Sequence, residues 1–275
     1  MADRAARAMS FGAVAEDYNR YRPGPTAEVV EWLLPAGVHT VVDLGAGTGA
    51  LTRLLVGLVP RVFSIEPDAR MREVLAAHNP EATSLAGRGD AIPLEDGTAD
   101  AVLVSSAWHW MEVEPTLAEI HRILRPGGRL GVVWAGPDRR VPWVASLLAR
   151  ARHAGAPEDL VRGLLAPEEA FPAREDEDEQ GRGLHAGARH RFSLPDHSRF
   201  TPPEFTEIRW SQMMSLDDLV GLAGTYSGVI TLPAPERERT LQLARTVLES
   251  DDELARGGQL EVPFRAASWR TDRID

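Results

Sequence analysis

The stretch VVDLGAGTGALT at residues 41–52 constrains what this chain can fold into more than any other. A short β-branched apolar run enters three glycines within five positions and opens onto a helix. A strand that turns on glycine into a helix lets a ligand approach bare backbone, and it is where nucleotide-like cofactors sit in open α/β sheets. The rest of the chain supports such a sheet. Strands are expected over 40–44, 62–66, 84–88, 101–105 and 129–134, with helices over 50–58, 69–78 and 115–124 between most of them. Alternation of this kind requires crossover connections, so the expected fold is α/β: a doubly wound, Rossmann-like, mostly parallel sheet with helices on both faces.

Flanking segments elaborate that core. Residues 26–34 have helical spacing between the Pro-Gly-Pro of 23–25 and the Pro-Ala-Gly of 35–37. After residue 134 the pattern changes: 143–152 and 157–165 read as amphipathic helices, and 172–191 has no apolar period and reads as a solvated loop. Residues 204–213 alternate as a strand, Ser215 and Asp218 have capping-box spacing for a helix to about residue 225, a second helix follows over 235–248, and 259–273 reads as a last strand. These late strands flank a helical insertion suited to cap the sheet. The expected organisation is a single domain over 1–275, with an N-terminal lid helix segment at 1–36, a cofactor core at 37–136, and the remainder of the sheet with its cap insertions at 137–275.

Composition narrows the partners. The formal net charge of −11 disfavours a large polyanion, so nucleic acid is not expected as a partner. The absence of cysteine excludes disulfides, thiolate metal sites and a cysteine nucleophile. No apolar run approaches the roughly 20 residues of a membrane span, and residues 1–23 lack the apolar core of a signal peptide, which points to a cytoplasmic protein without a membrane partner. His185, His190 and His197 have no metal-ligand spacing on a recognisable element, and no metal site is expected.

Two cofactors fit the glycine turn by spacing alone. Gly45, Gly47 and Ala50 match the dinucleotide fingerprint in its Gly/Ala form, and Glu66 lies about 20 residues further on, where that fingerprint places a ribose-binding acid. Asp43, two residues before the first glycine, would repel a pyrophosphate but would suit the ammonium of an amino-acid tail, directly or through water. Gly49 extends the run to Asp43-x-Gly45-x-Gly47-x-Gly49. Asp90 in GRGDAIPLEDGTADAV, the cluster SSAWHWM at 105–111, ILRPGGRLGVVW at 123–134 and FGAVAEDYNRYRP at 11–23 complete an ordered set of blocks.

Together these blocks resemble a class I S-adenosylmethionine-dependent methyltransferase of the small-molecule type 11 group, closest to trans-aconitate methyltransferase-like enzymes. The resemblance covers residues 11–136 well and the remainder in outline. It implies S-adenosyl-L-methionine as cofactor, with Gly45, Gly47 and Gly49 against its amino-acid and ribose portions and Asp43 orienting the tail. It implies further that Glu66 accepts both ribose hydroxyls, that Asp90 accepts from the adenine amino group beside the Ala91 backbone, and that Ser106 approaches the methionyl part. The N-terminal segment then closes over the cofactor, with Tyr18 or Arg22 contacting its carboxylate or an acidic substrate. A solvated arginine and two packing tyrosines fit the same spacing, and Asp90 also suits a plain turn residue.

His109 in Trp108-His109-Trp110 follows the fourth strand at the edge where ligands collect, and it suits a base that takes a hydroxyl proton. A pocket-shaping residue bonded to the backbone suits it equally. Trp108, Trp110 and Tyr21 are candidates to wall the substrate, as are Trp210, Met213, Met214 and Tyr226 in the late insertion; all of them fit core packing too. The expected activity is methylation of an oxygen, nitrogen or carbon of a small-molecule acceptor. The alternatives are a non-methylating S-adenosylmethionine-binding protein of the same fold and a nicotinamide-dependent oxidoreductase.

Overall fold

The computed structural model describes residues 10–138, 141 and 192–275. The helices expected over 143–152 and 157–165 and the solvated segment at 172–191 lie outside the described residues. Within them, a short 3-10 turn (Phe11–Val14) leads into α1 (Ala15–Tyr21) and α2 (Ala27–Leu33), followed by β1 (Thr40–Leu44), α3 (Ala50–Leu55), β2 (Arg61–Ile65), α4 (Ala69–His78), β3 (Thr83–Leu85) and β4 (Ala99–Ser105). A 3-10 turn (Trp108–Trp110), α5 (Val113–Ile123) and β5 (Leu124–Pro137) complete the first half. The later chain forms β6 (Glu204–Ser215), α6 (Leu216–Gly224), α7 (Ser227–Ile230), α8 (Ala234–Leu248), α9 (Asp252–Ala255) and β7 (Gln259–Asp272).

The strands form a seven-stranded sheet in the order β3-β2-β1-β4-β5-β7-β6. The pairs β1·β2, β1·β4, β2·β3 and β4·β5 are all parallel. From β1 the chain winds outward through β2 and β3, then returns to place β4 on the other side of β1. The order therefore reverses between β1 and β4, and that crevice at the C-terminal strand ends is where doubly wound sheets take ligands.

β1 is buried along all five residues, as a central parallel strand covered on both faces must be. Its Val41 and Val42 pair with Ala101 and Val102 of β4. α5 buries Thr116, Leu117, Ile120 and Ile123, one face of a helical period, against the sheet. β5 begins earlier than its apolar pattern suggests. Leu124 pairs with Ala99 and Arg129 with Ala101, so the Pro126-Gly127-Gly128 turn bulges out of a strand that has already started. β3 stops at Leu85, short of the expected residue 88, because Arg88 turns back to bridge Ala91.

The chain gathers into two compact units. One comprises residues 24–135, 192–208 and 266–275. Its core joins Val42, Leu44, Val102, Val104, Ile120, Ile123 and Val132 with an aromatic set of Trp108, Trp134, Phe192 and Trp269. The other comprises, among the described residues, 10–23, 136–138 with 141, and 209–265. It packs α6, α7 and α8 around Leu219, Leu222, Val229, Ala244, Leu248 and Phe264. Here the expected capping box is present: the Ser215 side chain accepts from the Asp218 N–H while the Asp218 carboxylate accepts from the Ser215 N–H.

Candidate cofactor and acceptor site

The glycine turn is shaped by two neighbours, one on each side. Gly45 and Ala46 both donate to the Ile65 carbonyl, at 2.8 and 3.1 Å, which ties the turn to the end of β2. On the other side, a Cβ on Gly45 would stand 2.7 Å from the Ala107 Cβ and 3.1 Å from the Met111 Cε. The first glycine is therefore required where the turn after β1 meets the loop after β4. Its φ of 73° adds a second requirement, since side-chain-bearing residues avoid that region. Gly49 begins α3 with φ of 89°, and a Cβ there would stand 2.4 Å from the Asn79 Nδ2.

Gly47 differs from both. It also has positive φ, at 56°, yet nothing lies within 4 Å of where its Cβ would stand, and its N–H donates to Glu66 Oε2 at 3.0 Å. The other oxygen of Glu66 accepts from the Asp68 N–H at 2.9 Å. A carboxylate offers about four lone-pair directions, so one on each oxygen remains for a vicinal diol. Burial pushes the Glu66 carboxyl above its ordinary range, and the Asp68 and Gly47 backbone donors work against that rise. Glu66 thus stands ready for further donors beside open space at Gly47.

Asp43 is fully inside. At 1% exposure its Oδ2 accepts from the Thr52 hydroxyl at 2.6 Å. Because that hydroxyl gives its only proton to Asp43, it accepts from Ser64 Oγ, 3.1 Å away. The acid is pushed up to about 7 by burial, against the lowering effect of the Thr52 hydrogen bonds and with a small further push from the Glu66 charge. A cationic ligand near this carboxylate would favour its ionised form. Sequence spacing singled out Asp43 but not Thr52 or Ser64, whose roles arise from the first turn of α3 and the C-terminal half of β2.

Across the crevice, Ser106 follows β4 with φ of 54°. Among the described residues it is the one non-glycine at positive φ, a conformation that stores strain and concentrates at ligand sites. Its N–H donates to the Val133 carbonyl at 2.8 Å, which fixes the strained turn to β5. Trp108 lies in the core at 4% exposure, edge-on to Phe192 with ring centroids 5.2 Å apart. His109 and Trp110 are half-buried beside one another, centroids 4.5 Å apart, and the Trp134 indole donates to His109 Nδ1 at 3.4 Å. Trp134 carried no signal in the sequence beyond its place on an apolar strand.

Asp90 accepts two parallel hydrogen bonds from Arg88, both at 2.9 Å. The Ala91 N–H donates to the Arg88 carbonyl at 3.1 Å, so the turn engages both groups that the family resemblance assigns to an adenine ring. Tyr18, Tyr21 and Arg22 belong to the second unit. There the Arg22 guanidinium lies 4.4 Å over the Tyr226 ring and 5.5 Å from the Tyr18 ring. A Cβ on Gly221 of α6 would stand 2.5 Å from the Tyr21 ring, so that ring packs directly on the helix backbone. Among the described residues no cluster of His, Cys, Asp or Glu is arranged to hold a metal ion.

Comparisons with known proteins follow the same lines. The profile of the methyltransferase-domain family matches residues 42–132, from within β1 to within β5. An uncharacterised methyltransferase of Mycobacterium tuberculosis is 35% identical over 256 residues, covering 93% of this chain and 92% of its own. An uncharacterised methyltransferase-like protein of Schizosaccharomyces pombe is 34% identical over 272 residues, covering 96% of this chain and 95% of its own. The solved structure of a protein from Anaeromyxobacter dehalogenans, described as a type II methyltransferase, superposes with a TM-score of 0.58 at 22% identity, over 92% of this chain and 98% of that one, and shows the shared fold. Between the two cofactors that spacing alone left open at the glycine turn, family membership decides: the chain belongs to the class I S-adenosyl-L-methionine-dependent methyltransferases.

Proposed function

We propose that the chain methylates an oxygen, nitrogen or carbon of a small-molecule acceptor, with the methyl donor held at the β1/β4 crevice. The observation that carries this reading is the Glu66 carboxylate, held by the Gly47 and Asp68 N–H groups at 3.0 and 2.9 Å beside the open space at Gly47. That arrangement suits a ribose diol. The buried Asp43 suits the ammonium of the amino-acid tail, and the loop from Ser106 to Trp110 suits the reacting end. S-adenosyl-L-methionine supplies a methyl group on a sulfonium, so the protein's task is alignment and exclusion of water. Asp90 and Ala91 receive the adenine once the Arg88 contact yields or shares its oxygens.

A small acceptor is favoured by charge. The chain carries 41 acidic against 30 basic side chains, which opposes a polyanionic substrate. Among the described residues no helix is long and apolar enough to cross a membrane.

Methyl-labelled S-adenosylmethionine incubated with the protein and a cell extract tests the reading. Label is expected in the low-molecular-weight fraction, and it is expected to fall to background with Glu66→Ala. Label in protein or nucleic acid would overturn the small-molecule assignment. No label in any fraction, with cofactor binding intact, would favour a non-methylating role for the same site.

A further inference from the structure

Two glycines in different turns leave room for one and the same side chain. A Cβ on Gly45, in the turn after β1, would stand 3.1 Å from the Met111 Cε. A Cβ on Gly89, in the turn that carries Arg88 and Asp90, would stand 3.2 Å from the Met111 Sδ. The thioether therefore lies between the two turns, its methyl end against the first and its sulfur against the second. These are the backbone segments that the family resemblance sets against the amino-acid and ribose portions of the cofactor and against its adenine.

At Gly89 the demand for glycine comes from space alone. Gly45 has positive φ, whereas Gly89 is not among the glycines that do. What excludes a side chain at Gly89 is Thr116 of α5, whose Oγ1 and Cγ2 stand 2.7 and 3.0 Å from the same Cβ position, together with the Met111 sulfur. Thr116 is fully buried, so that wall does not give way. Met111 is held as well: its N–H donates to the Trp108 carbonyl at 3.0 Å, and its half-buried side chain packs against the apolar core. A methionine fits a gap of this irregular shape because it is unbranched and bends at three bonds.

We propose that Met111 is a positioning residue of the cofactor site, its thioether spacing the glycine turn from the Asp90 turn, and that hydrogen peroxide disables the site by oxidising that sulfur. This rests on the methyltransferase reading of the crevice. In the oxidation one peroxide oxygen bonds to sulfur, the oxygen–oxygen bond breaks, and the other oxygen leaves as water. The sulfur gives up two electrons and keeps both of its carbons. A flexible apolar spacer becomes a polar sulfoxide, and its new oxygen needs room beside Gly89 and Thr116, where the contacts are already close. The two turns then lose the spacing that one adenosyl ligand requires of both. Partial exposure of Met111 admits a small oxidant, and a ligand lying on both turns shields it.

Hydrogen peroxide titration of the whole chain, with peptide mass mapping and S-adenosylhomocysteine titration at each step, tests this. Met213, 54% exposed, is the internal control for oxidation that does not touch the crevice. Affinity is expected to fall about tenfold or more as Met111 sulfoxide accumulates, and to return when a methionine sulfoxide reductase removes it. Met111→Leu keeps the apolar bulk and has no sulfur to oxidise, so peroxide is expected to change its affinity little, whereas Met213→Leu stays as sensitive as the parent. Bound S-adenosylhomocysteine is expected to slow oxidation at Met111 and not at Met213, a protection that a purely structural methionine would not show. An affinity loss that persists in Met111→Leu, affinity that survives full oxidation of Met111, or a Met111 that resists peroxide while Met213 is consumed would each overturn the proposal. Untreated parent that fails to bind S-adenosylhomocysteine would instead overturn the cofactor reading. The spacing role is then decided by ligand-free melting: peroxide is expected to lower the midpoint of the parent and not of Met111→Leu, and equal shifts in the two would overturn it.

Discussion

Asp43 is the residue at which stability and the proposed binding of the cofactor tail meet. Its ordinary value near 4 is raised to about 7 in the folded chain by burial, so between those values the native state holds a proton that the unfolded state has released. Stability from this group is fully present below about pH 4 and is lost as pH rises through about 7. Asp43→Asn is expected to flatten that slope in urea melts taken across pH 4 to 8. Binding runs the other way if Asp43 holds the ammonium tail. Affinity for S-adenosylhomocysteine is expected to rise with pH through about 7, with a proton released on binding, and calorimetry in buffers of different ionisation enthalpy measures both. Thr52→Val removes the partner of the buried Oδ2 and is expected to cost about 1–3 kcal/mol. An unchanged melt would show that Asp43 finds another donor.

The turn after β1 and the loop after β4 act as one element, because each occupies space the other leaves. Gly45→Ala sets a Cβ 2.7 Å from Ala107 at a φ of 73°, and a destabilisation of about 1–3 kcal/mol is expected from strain and contact together. Gly47→Ala meets no neighbour and is expected to cost only the left-handed strain, about 1–2 kcal/mol, while weakening cofactor binding more than Gly45→Ala does relative to its effect on stability. Paired denaturation and titration curves check the contrast, and equal ratios for the two variants would contradict it. In the second unit the α6 capping box sets a local expectation: Ser215→Ala costs about 1 kcal/mol.

At the scale of the whole molecule, what the sequence makes legible follows the range of the interactions. The glycine turn, the alternation of strands with helices and the Ser215 capping box are local patterns, and β1, α4 and the capping box appear where spacing places them. The engagement of Asp90 by Arg88, two residues away, is equally local, but a turn and an adenine site share the same residue types, so spacing does not separate them. Contacts between distant segments left no trace. Nothing near His109 in sequence announces Trp134, and nothing in the late chain announces that Phe192 and Trp269 complete the core begun by Val42 and Val102. For that reason residues 24–135 alone are expected not to fold, although they contain the whole matched family segment. A dispersed amide spectrum from that fragment would contradict this. The central claim is that the crevice between β1 and β4 holds the adenosyl cofactor through Glu66, and thermal unfolding with S-adenosylhomocysteine or NAD, on the parent and Glu66→Ala, tests it most directly. At about 100 times the dissociation constant the adenosyl ligand is expected to add roughly 2.7 kcal/mol to the parent, a rise of several degrees, with no rise in Glu66→Ala and none with NAD. An undiminished rise in Glu66→Ala, or a rise with NAD alone, would contradict the account.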